Sequence, residues 1–121
     1  MKILLLSHPI TIEPDHEESF GAYPPLGLAY MASMLEKKGH LVKIIDCFAE
    51  GLHIKQQTGQ KIKIGLKDES ILIQVREFFP DIVGISNNFT TFYKDACDLA
   101  ALIKTNFPEI LLVGGGNHIT Q

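Results

Sequence analysis

The sequence predicts an open α/β domain built on a doubly wound parallel sheet, and three patterns support this prediction. Short, continuous apolar runs such as Ile3–Leu6 are typical of strands that helices cover on both faces. Segments with apolar residues at helical spacing alternate with these runs. Two helix-to-strand joints are nearly the same, and proline ends the helix in each: Phe79-Pro80-Asp81-Ile82 and Phe107-Pro108-Glu109-Ile110.

The first half of the chain is predicted to form one strand–helix–strand unit. A long polar loop, Ser7 to Tyr23, follows the first strand, Ile3–Leu6. A helix is predicted from Pro25 to Lys38, because proline is well tolerated in a first helical turn and Gly39 follows the last one. The second strand is Leu41–Asp46, and the crossover between these parallel strands should be right-handed.

A small insertion and a second helix come next. Residues 51–66 are predicted to form a hairpin, because apolar residues flank a Thr58-Gly59 turn. Asp68 is the predicted N-cap of a helix over Glu69–Phe79. The face of this helix that should be buried, at helical spacing, consists of Ile71, Val75, Phe78 and Phe79.

The last part of the chain predicts two more strands and a helix between them. The third strand is Ile82–Ser86 and the fourth is Ile110–Val113. Thr90 or Thr91 is expected to cap a helix that runs to about Asn106. The buried face of this helix should consist of Phe92, Ala96, Leu99, Ala100, Ile103 and Phe107.

Composition and charge exclude several classes of function. The chain has 121 residues, of which 45% are hydrophobic, and this fits one globular domain. The net charge is −3 and no basic stripe is present, so we expect no nucleic-acid partner. No segment approaches the roughly 20 apolar residues of a membrane span, so we expect no membrane partner. Cys47 and Cys97 are too few for a disulfide framework, and we expect mostly buried, reduced thiols in a cytoplasmic protein.

Three loops should lie where this class of sheet binds ligands, beyond the carboxyl ends of its strands. They are Ser7–Tyr23, Asn87–Thr91 and Gly114–Thr120. The glycines Gly114, Gly115 and Gly116 let a backbone approach something flat or bulky, and a tight turn without a ligand is the alternative. They match neither G-x-G-x-x-G nor a P-loop.

The run that follows the third strand, Ser86-Asn87-Asn88-Phe89-Thr90-Thr91, is rich in hydroxyl and amide groups. Such groups can donate hydrogen bonds to a ligand, and helix capping by one of the threonines is the alternative explanation. Among the histidines, His8 and His118 follow strands and could join Asp15 or His16 in a metal site. Such spacing is common by chance, so we predict neither a catalytic residue nor a metal ligand.

Six short motifs follow one another along the chain. They are Tyr23-Pro24-Pro25-Leu26-Gly27-Leu28-Ala29-Tyr30, Gly39-His40-x-Val42, Ile45-Asp46, Gly65-Leu66-x-Asp68-Glu69, Pro80-Asp81-Ile82-Val83-Gly84-Ile85-Ser86 and Val113-Gly114-Gly115-Gly116-x-His118-x-Thr120. In this order they resemble the N-terminal B12-binding domain of cobalamin-dependent radical SAM enzymes. The resemblance covers nearly the whole chain, and it rests on the ordered set because no single motif is specific.

The resemblance implies a flavodoxin-like, Rossmann-like sheet of order 2-1-3-4-5, of which this chain would supply 2-1-3-4 and end before strand five. It also implies that cobalamin lies over the strand ends, with its nucleotide tail beside the sheet. Ser86 would lie near the tail, and Gly115 and Gly116 would let it pass closely. The cofactor-binding residues expected in all are Pro24, Leu26, Gly27, Ser86, Asn87, Asn88, Thr90, Thr91, Gly114, Gly115, Gly116 and His118.

The sequence departs from the related D-x-H-x-x-G motif, which Gly27 would close. Pro24 takes the place of the histidine that ligates cobalt, and Ala22 takes that of the aspartate. The resemblance therefore implies base-off cobalamin without a histidine ligand from this motif. His8 or His16 is the alternative ligand.

Radical SAM chemistry needs a [4Fe–4S] cluster on a C-x-x-x-C-x-x-C motif, and Cys47 and Cys97 lie 50 residues apart. The resemblance therefore implies that the cluster, S-adenosylmethionine and catalysis belong to a radical SAM domain of a longer parent chain. That parent would be a methyltransferase or a cyclase.

Two other functions stay open on the sequence. The first is a regulatory or nucleotide-binding α/β domain, although phosphate binding favours a short, glycine-rich loop after the first strand. The second is an interaction domain with no cofactor, which would pair through the exposed edge of the fourth strand. The same edge is a candidate surface for a homodimer.

Overall fold

The computed structural model describes residues 1–14, 26–86 and 92–115, apart from the side chain of Leu26. Its strands and helices alternate in the way that the sequence predicts. In chain order they are β1 (Lys2–Ser7), β2 (Ile10–Ile12), α1 (Leu26–Lys37), β3 (Leu41–Asp46), α2 (Cys47–Glu50), β4 (Lys55–Thr58), β5 (Lys61–Ile64), α3 (Asp68–Phe78), β6 (Ile82–Ser86), α4 (Tyr93–Asn106) and β7 (Leu111–Gly115).

Four of these strands form a parallel sheet in the order β3-β1-β6-β7. β1 pairs with β3 and β6, and β6 pairs with β7. In terms of the four strands that the sequence predicts, this is the order 2-1-3-4. The open α/β fold of flavodoxin-like type is therefore confirmed, and β7 lies at the predicted edge of the sheet.

Helices cover both faces of the four-stranded sheet. On one face, Leu28 and Ala32 of α1 pack against Ile3 and Leu5 of β1. On the other face, α3 and α4 pack against Leu4 and Leu6, through the buried side chains of Ile71, Val75, Ala96, Leu99 and Ile103. Side chains along a strand alternate between faces, so a strand covered on both faces is apolar throughout.

A second, antiparallel sheet has the order β2-β5-β4, and we call it the small sheet. The predicted hairpin within residues 51–66 is confirmed as β4 and β5. The prediction of one polar loop over Ser7–Tyr23 is wrong at Ile10–Ile12, which pairs with β5. One face of the small sheet is apolar, and Ile12 and Ile64 pack there with Phe48 and Phe92.

Several helix ends differ from their predicted places. Lys67 occupies the N-cap position of α3, so Asp68 is the first helical residue and not the cap. Its carboxylate lies 3.5 Å from the ammonium group of Lys63. Phe92 occupies the N-cap position of α4. The predicted caps Thr90 and Thr91 lie outside the described residues.

Phe79 was predicted in the core and is instead 79% exposed. It follows α3 in the left-handed conformation, with φ of 55°, and its N–H donates to the carbonyl oxygen of Val75. A side chain at this position leaves the helical face, because the backbone turns away to enter β6. No helix among the described residues is long and apolar enough to cross a membrane.

Replacement of Phe79 should show the strain of this conformation. Glycine adopts positive φ without a steric penalty, whereas the Cβ atom of alanine keeps that penalty. We expect the free energy of unfolding of Phe79→Gly to exceed that of Phe79→Ala by about 1 kcal/mol in urea titrations. The alanine variant is the control for loss of the ring. Equal stability of the two variants would contradict the left-handed conformation of Phe79.

Candidate cofactor-binding site

The register of the parallel sheet brings four strand ends into one row. Ser7 lies opposite Asp46 on one side and Ser86 on the other, and Ser86 lies opposite Gly115. All four residues are half-buried. The row therefore presents two hydroxyl groups and a bare backbone at the edge where ligands bind in open α/β sheets. The carboxylate of Asp46 is partly engaged, since it accepts a hydrogen bond from the N–H of Ala49 at 3.1 Å.

Below this row, part of the α1 face of the sheet is open. Gly84 lies between Leu5 and Val113 in the register, and Leu111 lies one row further down. α1 packs over the β1 side of this face, whereas Leu111 and Val113 on β7 are 59% and 48% exposed. We call the residues Gly84, Ser86, Leu111, Val113 and Gly115 the open strip.

Gly115 leaves room for a ligand, whereas the side chain of Leu5 already fills part of the space beside Gly84. A Cβ atom on Gly84 would lie 3.0 Å from Cδ2 of Leu5, whereas one on Gly115 would meet nothing within 4 Å. Apolar side chains on β7 line the strip, and the Ser86 hydroxyl stands at its end. Such a surface suits a flat, elongated group that is apolar along its length and polar at one end.

The small sheet and the start of α4 flank the row of strand ends. His8 follows β1 and is buried, and its Nδ1 lies 2.7 Å from the carbonyl oxygen of Pro9. Its ring lies 6.3 Å from that of Phe92 between centroids. Within the described part of the chain, no group of three or more histidine, cysteine or acidic residues is arranged to hold a metal ion. Asp15, His16 and His118 lie outside that part.

A polar cleft of about 650 Å³ lies between the small sheet and the starts of α3 and α4. Sequence reasoning missed it, although the alternation of Lys61 to Ile64 gives the small sheet a polar face. Four lysines and four carboxylates line the cleft: Lys61, Lys63, Lys67, Lys94, Asp68, Glu69, Asp95 and Asp98. Lys94 pairs with Asp98 at 2.8 Å, and Lys63 with Asp68 at 3.5 Å. The positive and negative side chains are equal in number, so the lining of the cleft has no net charge.

The structure brings some of the predicted site residues together. Ser86 and Gly115 are neighbours in the row of strand ends, and Gly114 lies beside them. Gly114 and Gly115 belong to β7, so the loop that was predicted to begin at Gly114 does not begin there. Leu26 and Gly27 open α1. Those outside the described residues are Pro24, Asn87, Asn88, Thr90, Thr91, Gly116 and His118.

The residues of the row and strip that sequence reasoning missed include Ser7, Gly84 and Val113. The signal for one of them was present, because a glycine inside an apolar strand often marks a close approach by a ligand or another chain. The other two have no local signal. Only the register places Ser7 and Val113 beside Ser86 and Gly84.

The two cysteines differ in their surroundings. Cys47 is fully buried, and burial together with the carboxylates of Glu50 and Asp46 raises the pKa of its thiol to about 12. Cys97 is exposed, so the expectation of a mostly buried thiol is wrong there. It follows Ala96, which faces the core from α4, and therefore lies on the outer side of that helix. Both cysteines are free, as predicted.

Comparison with known proteins identifies the class. Residues 17–121 match the B12 binding domain family. The chain is 39% identical over 120 residues to cytidylyl-2-hydroxyethylphosphonate methyltransferase of Streptomyces wedmorensis, which covers 97% of this chain and 22% of that protein. It is 37% identical over 121 residues to an uncharacterized methyltransferase of Pyrococcus horikoshii, which covers 99% of this chain and 22% of that protein. No solved structure matches it significantly.

This chain therefore belongs to the B12-binding domain family and is a cobalamin-binding domain. It spans 22% of the length of each of these relatives. The open strip fits the nucleotide tail of cobalamin, because the tail is elongated and carries an apolar base beyond a polar ribose and phosphate. Among the three functions that the sequence leaves open, the family supports cobalamin binding.

The different surroundings of the two thiols can be tested by their reaction with dithionitrobenzoate at about pH 8. The thiolate is the reactive form, and Cys47 is both buried and protonated at this pH. We expect one thiol per folded chain to react rapidly and the second to react only after unfolding in guanidinium. The control Cys97→Ser should have no rapid thiol. A rapid thiol in that variant would contradict the burial of Cys47.

Proposed function

We propose that this domain holds cobalamin for a methyltransferase of the radical SAM type, and that its cofactor site is the open strip with the row of strand ends above it. The main support for this location of the site is the open strip itself. It combines missing side chains at Gly84 and Gly115 with exposed apolar side chains on the neighbouring strand. Exposed apolar surface next to a binding edge commonly marks a ligand site.

Four residues of the open strip have a part in the proposed site. The Ser86 hydroxyl donates a hydrogen bond to a polar group of the nucleotide tail. Gly115 leaves space for the tail, and Gly84 adds no side chain to the surface over which the tail passes. Val113 contacts its apolar base. The predicted contacts Asn87, Asn88, Thr90 and Thr91 follow Ser86 in the chain, and Gly114, Gly116 and His118 surround Gly115 in sequence. They remain proposals.

The first turn of α1 is proposed to face the cobalt side of the cofactor. Pro24 stands where the related motif has its histidine and Gly27 where it has its closing glycine, and Leu26 lies between them. Proline has no nitrogen that could ligate a metal, so this motif would supply no ligand to the cobalt. Base-off cobalamin, with its nucleotide tail held in the open strip, would fit the proposed site. When bound, cobalamin supplies a cobalt centre for the transfer of a methyl group.

The proposed catalytic part lies outside this domain. Both relatives are named as methyltransferases, and the match covers only 22% of each. The two cysteines of this chain cannot hold a [4Fe–4S] cluster, which needs more cysteine ligands. The cluster and S-adenosylmethionine would therefore bind to a radical SAM domain of the parent chain. A homodimer through the edge of β7 is a separate proposal.

Titration with hydroxocobalamin tests the site directly. We expect the protein to bind it saturably, with a changed visible spectrum, and to retain it through gel filtration. Val113→Glu should weaken this binding at least about tenfold, because it places a charge beside the apolar base. Measurement of the dissociation constant by absorbance checks both expectations.

The matched control for this test is Leu41→Glu. Leu41 is likewise an exposed apolar residue on an edge strand of the sheet, and it lies at the far edge. It should leave the dissociation constant unchanged. Absence of binding by the wild-type protein would contradict the proposed function. Equal affinity of the wild-type and Val113→Glu proteins would contradict the proposed site.

A further inference from the structure

A partly buried hydrogen-bonded pair joins the small sheet to α4, beside the row of strand ends. Asp95 lies in the first turn of α4 and is only 8% exposed. Its Oδ1 accepts a hydrogen bond from the Thr11 hydroxyl at 2.6 Å, and its Oδ2 accepts one from the Thr11 backbone N–H at 2.9 Å. A single carboxylate therefore binds both the side chain and the backbone of β2.

The hydrogen bonds of this pair offset the cost of burying the Asp95 carboxylate. A buried carboxylate is costly unless it is hydrogen-bonded, and here both of its oxygens have a donor. The first turn of a helix also favours a negative charge. The Thr11 N–H belongs to an edge strand of the small sheet, where an unpaired donor would otherwise remain.

This pair links the two chain segments that follow Ser7 and Ser86 in the row of strand ends. Ser7 and Ser86 are register partners at the carboxyl ends of β1 and β6. Thr11 follows Ser7 by four residues, and Asp95 follows Ser86 by nine. The two chain segments that leave the row of strand ends are thus tied together again by the Thr11–Asp95 hydrogen bonds. The contact between the rings of His8 and Phe92 lies between the same two segments.

We propose that Thr11 and Asp95 are positioning residues for cobalamin binding, which hold the small sheet and the start of α4 at a fixed distance beside the row of strand ends. This inference rests on the proposed cofactor site and assigns a role to two residues that do not belong to it. Without the pair, apolar contacts of Ile12 and Phe92 would hold this flank, and such contacts are not directional.

The test compares Thr11→Val with Thr11→Ser. Valine has the shape of threonine but no hydroxyl, so one oxygen of the buried carboxylate loses its donor, whereas serine keeps both hydrogen bonds. We expect Thr11→Val to raise the dissociation constant of hydroxocobalamin about tenfold, and Thr11→Ser to leave it near the wild-type value. Amide hydrogen exchange without cobalamin should become faster in Thr11→Val at residues 10–12 and in the first turn of α4.

Ile103→Val is the control for a general loss of stability. Ile103 is fully buried near the other end of α4, and removal of one methyl group there destabilises the fold without touching the pair. It should leave the dissociation constant unchanged at a temperature where both variants are folded. Equal weakening by Thr11→Val and Ile103→Val, or wild-type affinity of Thr11→Val, would overturn the inference. Absence of binding by the wild-type protein would overturn the proposed function and the inference with it.

Discussion

The parallel pairing of β1 with both β3 and β6 fixes the register on which the cofactor edge depends. β1 contributes Leu4 and Leu6 to one face of the sheet and Ile3 and Leu5 to the other, and all four side chains are buried. A slip of one residue would exchange the side chains that pack on the two faces and would move Ser7 from its place opposite Ser86. The apolar core therefore holds Ser7, Ser86 and Gly115 in one row, although none of them belongs to it.

The same register explains why the open strip is continuous. Residues on one face of neighbouring strands lie in rows, so Gly84 and Val113 form one row below Ser86 and Gly115. α1 covers the adjacent part of this face through Leu28 and Ala32. The strip is thus bounded by a packed helix on one side and by the edge strand β7 on the other. The packing of α1 thus bounds the open strip, and the glycines at positions 84 and 115 add no side chains to it.

The main sheet could be predicted from the sequence because its signals are local. Apolar runs, Gly39, and the prolines at positions 80 and 108 mark the elements one after another. β2 could not be predicted, because three residues carry too little pattern and their partner strand, β5, lies far along the chain. Phe79 was misplaced for a similar reason, since helical spacing does not reveal the residue at which the helix ends.

The cofactor site was predictable only in part. Ser86 and Gly115 could be named because each ends a recognisable strand, and the resemblance gave them a role. Val113 and Ser7 gain their places from the pairing of strands, which local pattern does not specify. The Thr11–Asp95 pair joins residues 84 positions apart, so no spacing rule could have found it.

A crystal structure of the protein with bound cobalamin tests the central claim most directly. We predict that the nucleotide tail lies on the α1 face of the sheet, with its base within about 4 Å of Gly84 and Val113. The Ser86 hydroxyl should lie within hydrogen-bond distance of the tail. A tail bound on the α3 and α4 face, or in the polar cleft beside Lys63, would contradict the claim.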